Sequence, residues 1–477
     1  MEKAKKTVLD SIAKIEENMI KAADEIWDLA ELPMQEFKSS KILADWLESE
    51  GFKVTRGIAD MPTAFLGEWG SGRPIIGLHA EYDAMPHQSN EAVPYKKPRI
   101  EGGPGHGCGH NLLGAGAAGA AISVKHAMED HDIGGTIRLY GSPAEEILVG
   151  KVYMTRAGLY DDLDAALCWH AADRNQVSLA GSLALISTIF VFTSKAEGYF
   201  GRNALDGVET MRSAVDINLS TISLKRKHFS SRSRVEHVIR NGGSEPNVGL
   251  EVAEIWYFLR APNMDQARTM HEIVRKCAEA AALASDLDVE EKIQTGCYNT
   301  LPNTVLVNLM YENMMAIGAP KFSEKEKEWA SQIQKPFRER YASLDFVLDE
   351  DIRLLNAVRA DAAGESSGLA SGDQGDVSWI TPYGLVNTAT NAYGLPYHTW
   401  EMVASSRTSI AHKAMVFGTK ILAYSVIDLL TKPEILKKAS AEFENATEGF
   451  VYECFVPPDI KPPDADLFKV ENAKIQK

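Results

Sequence analysis

Apolar positions in MEKAKKTVLDSIAKIEENMIKAADEIWDLAEL recur at helical spacing, with Ile12, Ile15, Met19, Ala23 and Ile26 on one stripe, so the chain opens with an amphipathic helix. The period then changes. PIIGLHAEYDAMP from Pro74, TIRLYGSPAEE at 136–146 and DAALCWHA at 164–171 are apolar runs that end in polar residues, as buried strands do. A Gly-rich, basic loop through residue 110 and a helix from about Asn111 to Asp130 stand between the first two. Strand-like runs alternating with helices predict an α/β fold with a mainly parallel sheet covered on both faces.

From about Leu183 the order changes. ALISTIFVFTSK reads as a strand, LDGVETMRSAVDINLSTISLKRK as a helix, SRVEHVIR and EVAEIWYFLRAP as strands, DQARTMHEIVRKCAEAAALASD as a helix and DVEEKIQTG as a strand. This β-α-β-β-α-β succession is that of a ferredoxin-like α+β insertion. After Asn303 helices and strands resume and run to a Pro-rich tail, VPPDIKPPDADLF, expected to lie extended. The expected organisation is a catalytic domain in two parts, 1–187 and 299–477, interrupted by a smaller domain at 188–298.

Totals narrow the picture. A chain of 477 residues exceeds one ordinary core, and 45% hydrophobic with 24% charged residues is a globular composition. The net charge of -16 repels phosphate backbones and anionic bilayers, which argues against nucleic-acid and membrane partners. The first helix lacks the apolar core of a signal peptide, and no later segment reads as long and apolar enough to span a bilayer. Five cysteines without regular spacing suit reduced thiols and a cytoplasmic location.

Chemistry collects where the strand-like runs end. They deliver Asp83, then Glu145 and Glu146, then His170, and the loop carrying Cys108 and His110 lies between the first two. Ligands of open α/β sheets bind beyond the carboxyl ends of the strands, so these exits converge on one crevice with the donor types of a transition-metal site. Taken singly, each has a plainer reading: His170 as a core histidine, Cys108 as a small apolar residue, the glutamates as a solvated pair. Their repetition at three exits favours the metal.

Two other readings compete for GHGCGHNLLGAGAAG. Gly114 to Gly119 spell G-x-G-x-x-G, but no strand precedes them, so the glycines are expected inside a helix whose smooth face packs on the sheet. That helix would begin near Asn111 and place Cys108 and His110 at its positive end, where a thiolate is favoured. Cys108 as a nucleophile with His110 as its base is the second alternative, and it leaves the glutamates and His170 without a task.

The motifs GLHAEYDAMP, GHGCGHN, PAEE, CWHA, GDVSW and LPYHTWEM occur in the order seen in the aminoacylase/glutamate-carboxypeptidase metallopeptidases. The chain resembles their amidohydrolase branch, and within it the aminobenzoyl-glutamate utilization protein B subfamily, over nearly its whole length. The resemblance implies a zinc-exopeptidase-type catalytic domain with the insertion as a lid. It implies that Cys108, His110, Glu146, His170 and His398 bind two divalent metal ions, manganese or zinc. Glu145 would be the general base toward a metal-bridging water, Asp83 would orient a histidine ligand, and Asn247 of NGGSEPN would hold the substrate's carboxylate or scissile carbonyl. Asp376 and Ser378 of GDVSW would shape the cleft floor or form a plain turn.

The activity expected on these grounds is that of a metal-dependent amidohydrolase for a small N-acyl amino acid such as aminobenzoyl-glutamate. The alternatives are a dipeptidase, an acyl-amino-acid conjugate hydrolase, or a weakly active amide-binding subunit. A homodimer paired through lid strand edges is expected, or an assembly with a second, related subunit. One departure stands out: TSKAEGYFGRNALDG at 193–207 lacks the histidine that relatives carry after the first lid strand, and Glu236, beside His237, occupies another expected histidine position.

Overall fold

The computed structural model describes residues 2–179, 181–194, 203–223, 229, 232–243, 248–337, 347–355 and 370–465. Its contacts divide the chain into two units, one of Met1–Ala180, Leu301–Arg359 and Val377–Tyr452, the other of Gly181–Thr300, Ala360–Asp376 and Glu453–Lys477.

Twelve strands are present among the described residues: β1 (Lys53–Arg56), β2 (Phe65–Ser71), β3 (Ile75–Ala80), β4 (Gly135–Gly141), β5 (Ala165–Ala172), β6 (Asn175–Ser178), β7 (Ala184–Ser194), β8 (Arg234–Asn241), β9 (Val252–Ala261), β10 (Leu287–Cys297), β11 (Ile352–Leu355) and β12 (Tyr383–Ala389). The first unit holds an eight-stranded sheet in the order β1-β2-β4-β3-β5-β12-β6-β11. Its centre, β4-β3-β5-β12, is parallel, and the antiparallel pairings β1/β2, β2/β4 and β6/β12 flank it.

Alternation along β3 explains its layers. Ile76, Leu78 and Ala80 enter the main core, while His79, of opposite parity, stands among the rings of Tyr140, Tyr160 and Tyr383. Helices Glu2–Leu29, His110–His131 and Ser409–Thr431 pack together over the first of these faces. The predicted stripe Ile12, Ile15, Met19, Ala23 and Ile26 is buried in that layer. The glycine-rich run lies inside His110–His131 because its neighbours come too close for side chains: a Cβ at Gly116 would stand 2.9 Å from the Trp169 ring, and one at Gly119 2.6 Å from the Met19 sulfur.

Helix Ser409–Thr431 corrects one expectation. By length and composition it is apolar enough to cross a membrane, yet 78% of its most apolar stretch is buried inside the fold. A core helix covered on most sides carries the same all-round apolarity as a bilayer span.

The second unit contains the antiparallel sheet β10-β7-β9-β8, with helices Ala204–Val215 and Met264–Ser285 in its connections. In order of appearance the strands lie 4-1-3-2, the ferredoxin-like arrangement. Both helices start at asparagine caps: Asn203 accepts from the Leu205 N–H and Asn263 from the Gln266 N–H.

Candidate metal centre

The four parallel strands at the centre of the first sheet all point their carboxyl ends at one place. Past β3 the chain reaches Glu81 and Asp83, past β4 it reaches Glu145 and Glu146, β5 carries His170 near its end, and the segment after β12 leads to His398. Cys108 and His110 enter from the loop that starts helix His110–His131, whose N-cap Gly109 has φ 81°, a left-handed conformation suited to glycine.

Asp83 organises the interior. One carboxylate oxygen lies 2.8 Å from His110 Nδ1 and the other accepts the Glu146 backbone N–H at 2.8 Å. With Nδ1 engaged, His110 turns Nε2 toward Glu81 Oε2 at 3.3 Å and Glu145 Oε2 at 3.7 Å. Cys108 Sγ lies 3.5 Å from His170 Nε2, and His170 Nδ1 donates to the Ala171 carbonyl at 2.7 Å. His398 Nε2 lies 3.5 Å from Glu146 Oε2 at the rim, its side chain 51% exposed.

Three donor sets have ligand atoms within 4.8 Å of one another: Cys108, His110 and His170; Cys108, Glu146 and His398; Glu81, His110 and Glu145. The residues expected from sequence as metal ligands therefore come together, as do Glu145 and Asp83. Asn247 lies outside the described residues, as does part of the 193–207 segment.

The electrostatics call for a cation. His110 Nε2, Glu81 Oε2 and Glu146 Oε1 are buried without a hydrogen-bond partner, an arrangement that is costly unless a bound group such as a cation engages them. Burial pushes the Glu146 carboxyl up to about 8, with Asp83 and Glu81 adding to the shift and His110 opposing it. Burial opposes charge on His110, but Asp83, Cys108 and Glu146 hold its pKa well above the ordinary imidazole value. At the helix start, burial, then Glu146, pushes the Cys108 thiol up to about 12, with His110 opposing. Soft, imidazole and carboxylate donors with buried open valences fit a divalent transition metal.

Two participants were missed from sequence. Glu81 stands two residues before Asp83 in the same strand exit, and the period-2 reading of that exit was the available signal. Lys151 gave none: it follows PAEE in helix Gly150–Arg156, fully buried, with Nζ 2.7 Å from Glu81 Oε1. Burial disfavours the Glu81 anion, yet Lys151, then His110, holds its pKa down to about 2. Asp376 and Ser378 accept the backbone N–H groups of Tyr298 and Leu301 at 2.9 and 2.8 Å.

This geometry has a family. Residues 77–349, more than half of the chain, match the peptidase family M20/M25/M40. The chain belongs to that family. It is 36% identical to a p-aminobenzoyl-glutamate hydrolase subunit of Escherichia coli (strain K12), over 95% of this chain and 97% of the relative. It is 27% identical to a Homo sapiens Xaa-Arg dipeptidase, over 88% of this chain and 87% of that one. Among solved structures it shares its fold with a dinuclear metal-binding M20 peptidase from Bacillus subtilis, at a TM-score of 0.52, 16% identity and coverage of 88% and 99%. The aminobenzoyl-glutamate utilization protein from Klebsiella pneumoniae aligns at a TM-score of 0.55, 14% identity and coverage of 86% and 98%. As an M20 family member, the chain is a hydrolase of the metallopeptidase class.

Proposed function

We propose that this M20 hydrolase cleaves the amide bond of a small N-acyl amino acid, with aminobenzoyl-glutamate as the leading substrate. The observation that carries the chemistry is the meeting of imidazole, thiol and carboxylate donors around buried, unpartnered atoms of His110, Glu81 and Glu146. The substrate assignment is supported by the hydrolase subunit whose sequence aligns over 97% of its length.

In this reading Cys108, His110, Glu146, His170 and His398 hold two divalent ions, manganese or zinc. When bound, the ions polarise the scissile carbonyl and lower the pKa of water. Glu145 takes the proton of the attacking water and returns it to the departing nitrogen, which must leave as an amine. Its place beside His110, with a side chain 13% exposed, suits a group that must meet both substrate and solvent-derived protons. Asp83 holds the His110 ring and the Glu146 backbone together, so ligand and base keep one geometry. Asn247 grips the substrate's carboxylate or carbonyl.

The same reading extends to the organisation: 1–187 with 299–477 form the catalytic domain, and the 188–298 stretch serves as a lid. β8 and β10, the outer strands of its described sheet, offer edges for a homodimer, and the relative's designation as a subunit supports a second, related chain as the alternative. Five free cysteines support a cytoplasmic site of action.

A second reading, a dipeptidase, is favoured by the likeness to the Xaa-Arg dipeptidase. A conjugate hydrolase with another acyl group uses the same site, while an amide-binding subunit of low turnover is favoured by the missing histidine in 193–207. A panel of N-acyl amino acids and dipeptides, assayed with manganese and with zinc, before and after chelation, separates these. Aminobenzoyl-glutamate turnover that is lost on chelation and restored by metal supports the leading assignment. Faster turnover of an Xaa-Arg dipeptide selects the second, and metal binding without turnover on any substrate selects the binding subunit.

A further inference from the structure

Glu36 lies far from the strand exits in sequence, yet its carboxyl group is wholly buried beside them. Oε1 accepts the backbone N–H of Ala144 at 2.8 Å, and Oε2 accepts the Thr63 hydroxyl at 3.0 Å. The Thr63 carbonyl in turn accepts the Tyr82 hydroxyl at 2.6 Å, tying this group to the residue before Asp83.

Ala144 immediately precedes Glu145 and has φ 56° and ψ 38°, a left-handed conformation that an L side chain disfavours. The turn after it is closed by hydrogen bonds from Leu148 N–H to the Glu145 carbonyl and from Val149 N–H to the Ala144 carbonyl. Its far end is equally tight, since a Cβ at Gly150 would stand 2.1 Å from the Pro143 carbonyl oxygen. A strained residue persists only where its surroundings over-determine it. The Ala144 N–H is the group through which Glu36 reaches that turn.

We propose that Glu36 is a positioning residue that holds Ala144 in its left-handed conformation and so aims Glu145 at the reaction. The proposal rests on the assignment of Glu145 as general base. Glu36 has no route to substrate, because it is fully buried, so its action passes through the backbone. The carboxyl need not be charged for this: a protonated group still accepts from Ala144, and the Thr63 hydroxyl can accept where it otherwise donates. Burial, with Asp83 adding, pushes the Glu36 carboxyl up to about 8, in keeping with that tolerance.

The test compares Glu36→Ala, Glu36→Gln and Glu36→Ala/Ala144→Gly with the parent and with Glu145→Gln, using aminobenzoyl-glutamate, metal content and thermal melting. Glu36→Ala is expected to lower kcat by roughly 10–100-fold, the scale of a displacement near 1 Å, with KM and metal content unchanged. Glu36→Gln retains both hydrogen bonds and kcat close to the parent. Glycine at 144 accepts the left-handed conformation freely, so the double variant recovers a large part of the lost kcat. An unchanged kcat in Glu36→Ala while Glu145→Gln is inactive overturns the proposal, as does a loss that tracks metal loss or that glycine at 144 fails to repair. Full activity of Glu145→Gln instead overturns the general-base assignment itself. Should Glu36→Ala not fold, Thr63→Val removes one of the carboxyl's partners: a lowered kcat at constant KM and metal content supports the proposal, and an unchanged kcat overturns it.

Discussion

The candidate centre of the first unit and the sheet of the second treat their charges in opposite ways. In the second unit, charged side chains find one another: Arg260 with Glu236 at 2.8 Å, Arg212 with Glu209 at 2.9 Å, Arg275 with Glu279 at 2.7 Å, and His271 with Glu291. In the three arginine pairs the carboxylate is exposed, so each is worth little, while His271 and Glu291 are mostly buried and satisfy one another. At the strand exits of the first unit, Glu81, Asp83, Glu145 and Glu146 crowd around His110, and only Lys151 brings them a lysine ammonium among the contacts described. A chain that pairs its charges elsewhere and leaves buried acceptors open here has kept a place for positive charge from outside.

That contrast can be broken by experiment. The largest effect is expected from chelation or from His170→Ala: activity is lost completely, returning with added metal only in the chelated parent, as followed by hydrolysis assays and metal analysis. Next, Glu145→Gln removes the proton shuttle but none of the proposed ligands, so metal content persists while kcat falls by about 10²–10⁴-fold. Asp83→Asn loosens the His110 ring from behind and is expected to weaken metal affinity by roughly 10–100-fold, measured by competition with a chelating dye. At the small end, Arg260→Ala in the second unit removes a pair whose carboxylate is exposed and should change unfolding free energy by less than about 1 kcal/mol in a denaturant titration. A large loss there, or none at Asp83, would mean that the two regions do not differ as their contacts indicate.

Legibility from sequence also differs between the regions. The second unit was readable almost element by element, because alternation in EVAEIWYFLRAP and helical spacing in DQARTMHEIVRKCAEAAALASD are local signals, and β9 and helix Met264–Ser285 lie where those patterns put them. The site was readable in part. Asp83, Glu145, Glu146 and His170 stand at the ends of apolar runs, so strand periodicity pointed to them, and His110 sits at the start of a helix that its own glycines announce. Lys151 and Glu36 had no such marker, since nothing local says that a lysine in a short helix or a glutamate in an N-terminal loop will be buried. For the Cys108 thiol, Glu146 and the surrounding burial act from distant parts of the chain, so the direction of its pKa could not be read locally.

By itself, the amino-acid sequence determined the period of each segment, the interruption of one α/β pattern by another, and the supply of metal-type donors at strand exits. These depend on neighbours a few residues apart, where backbone geometry dictates which side chains share a face. Only the tertiary structure decided that Cys108, His110, Glu81, Glu145, Glu146, His170 and His398 gather into three overlapping donor sets, which acceptors remain open, and which way each pKa moves. Those properties are sums over groups brought together through space, and desolvation and charge act through distance in the fold, whatever the separation along the chain.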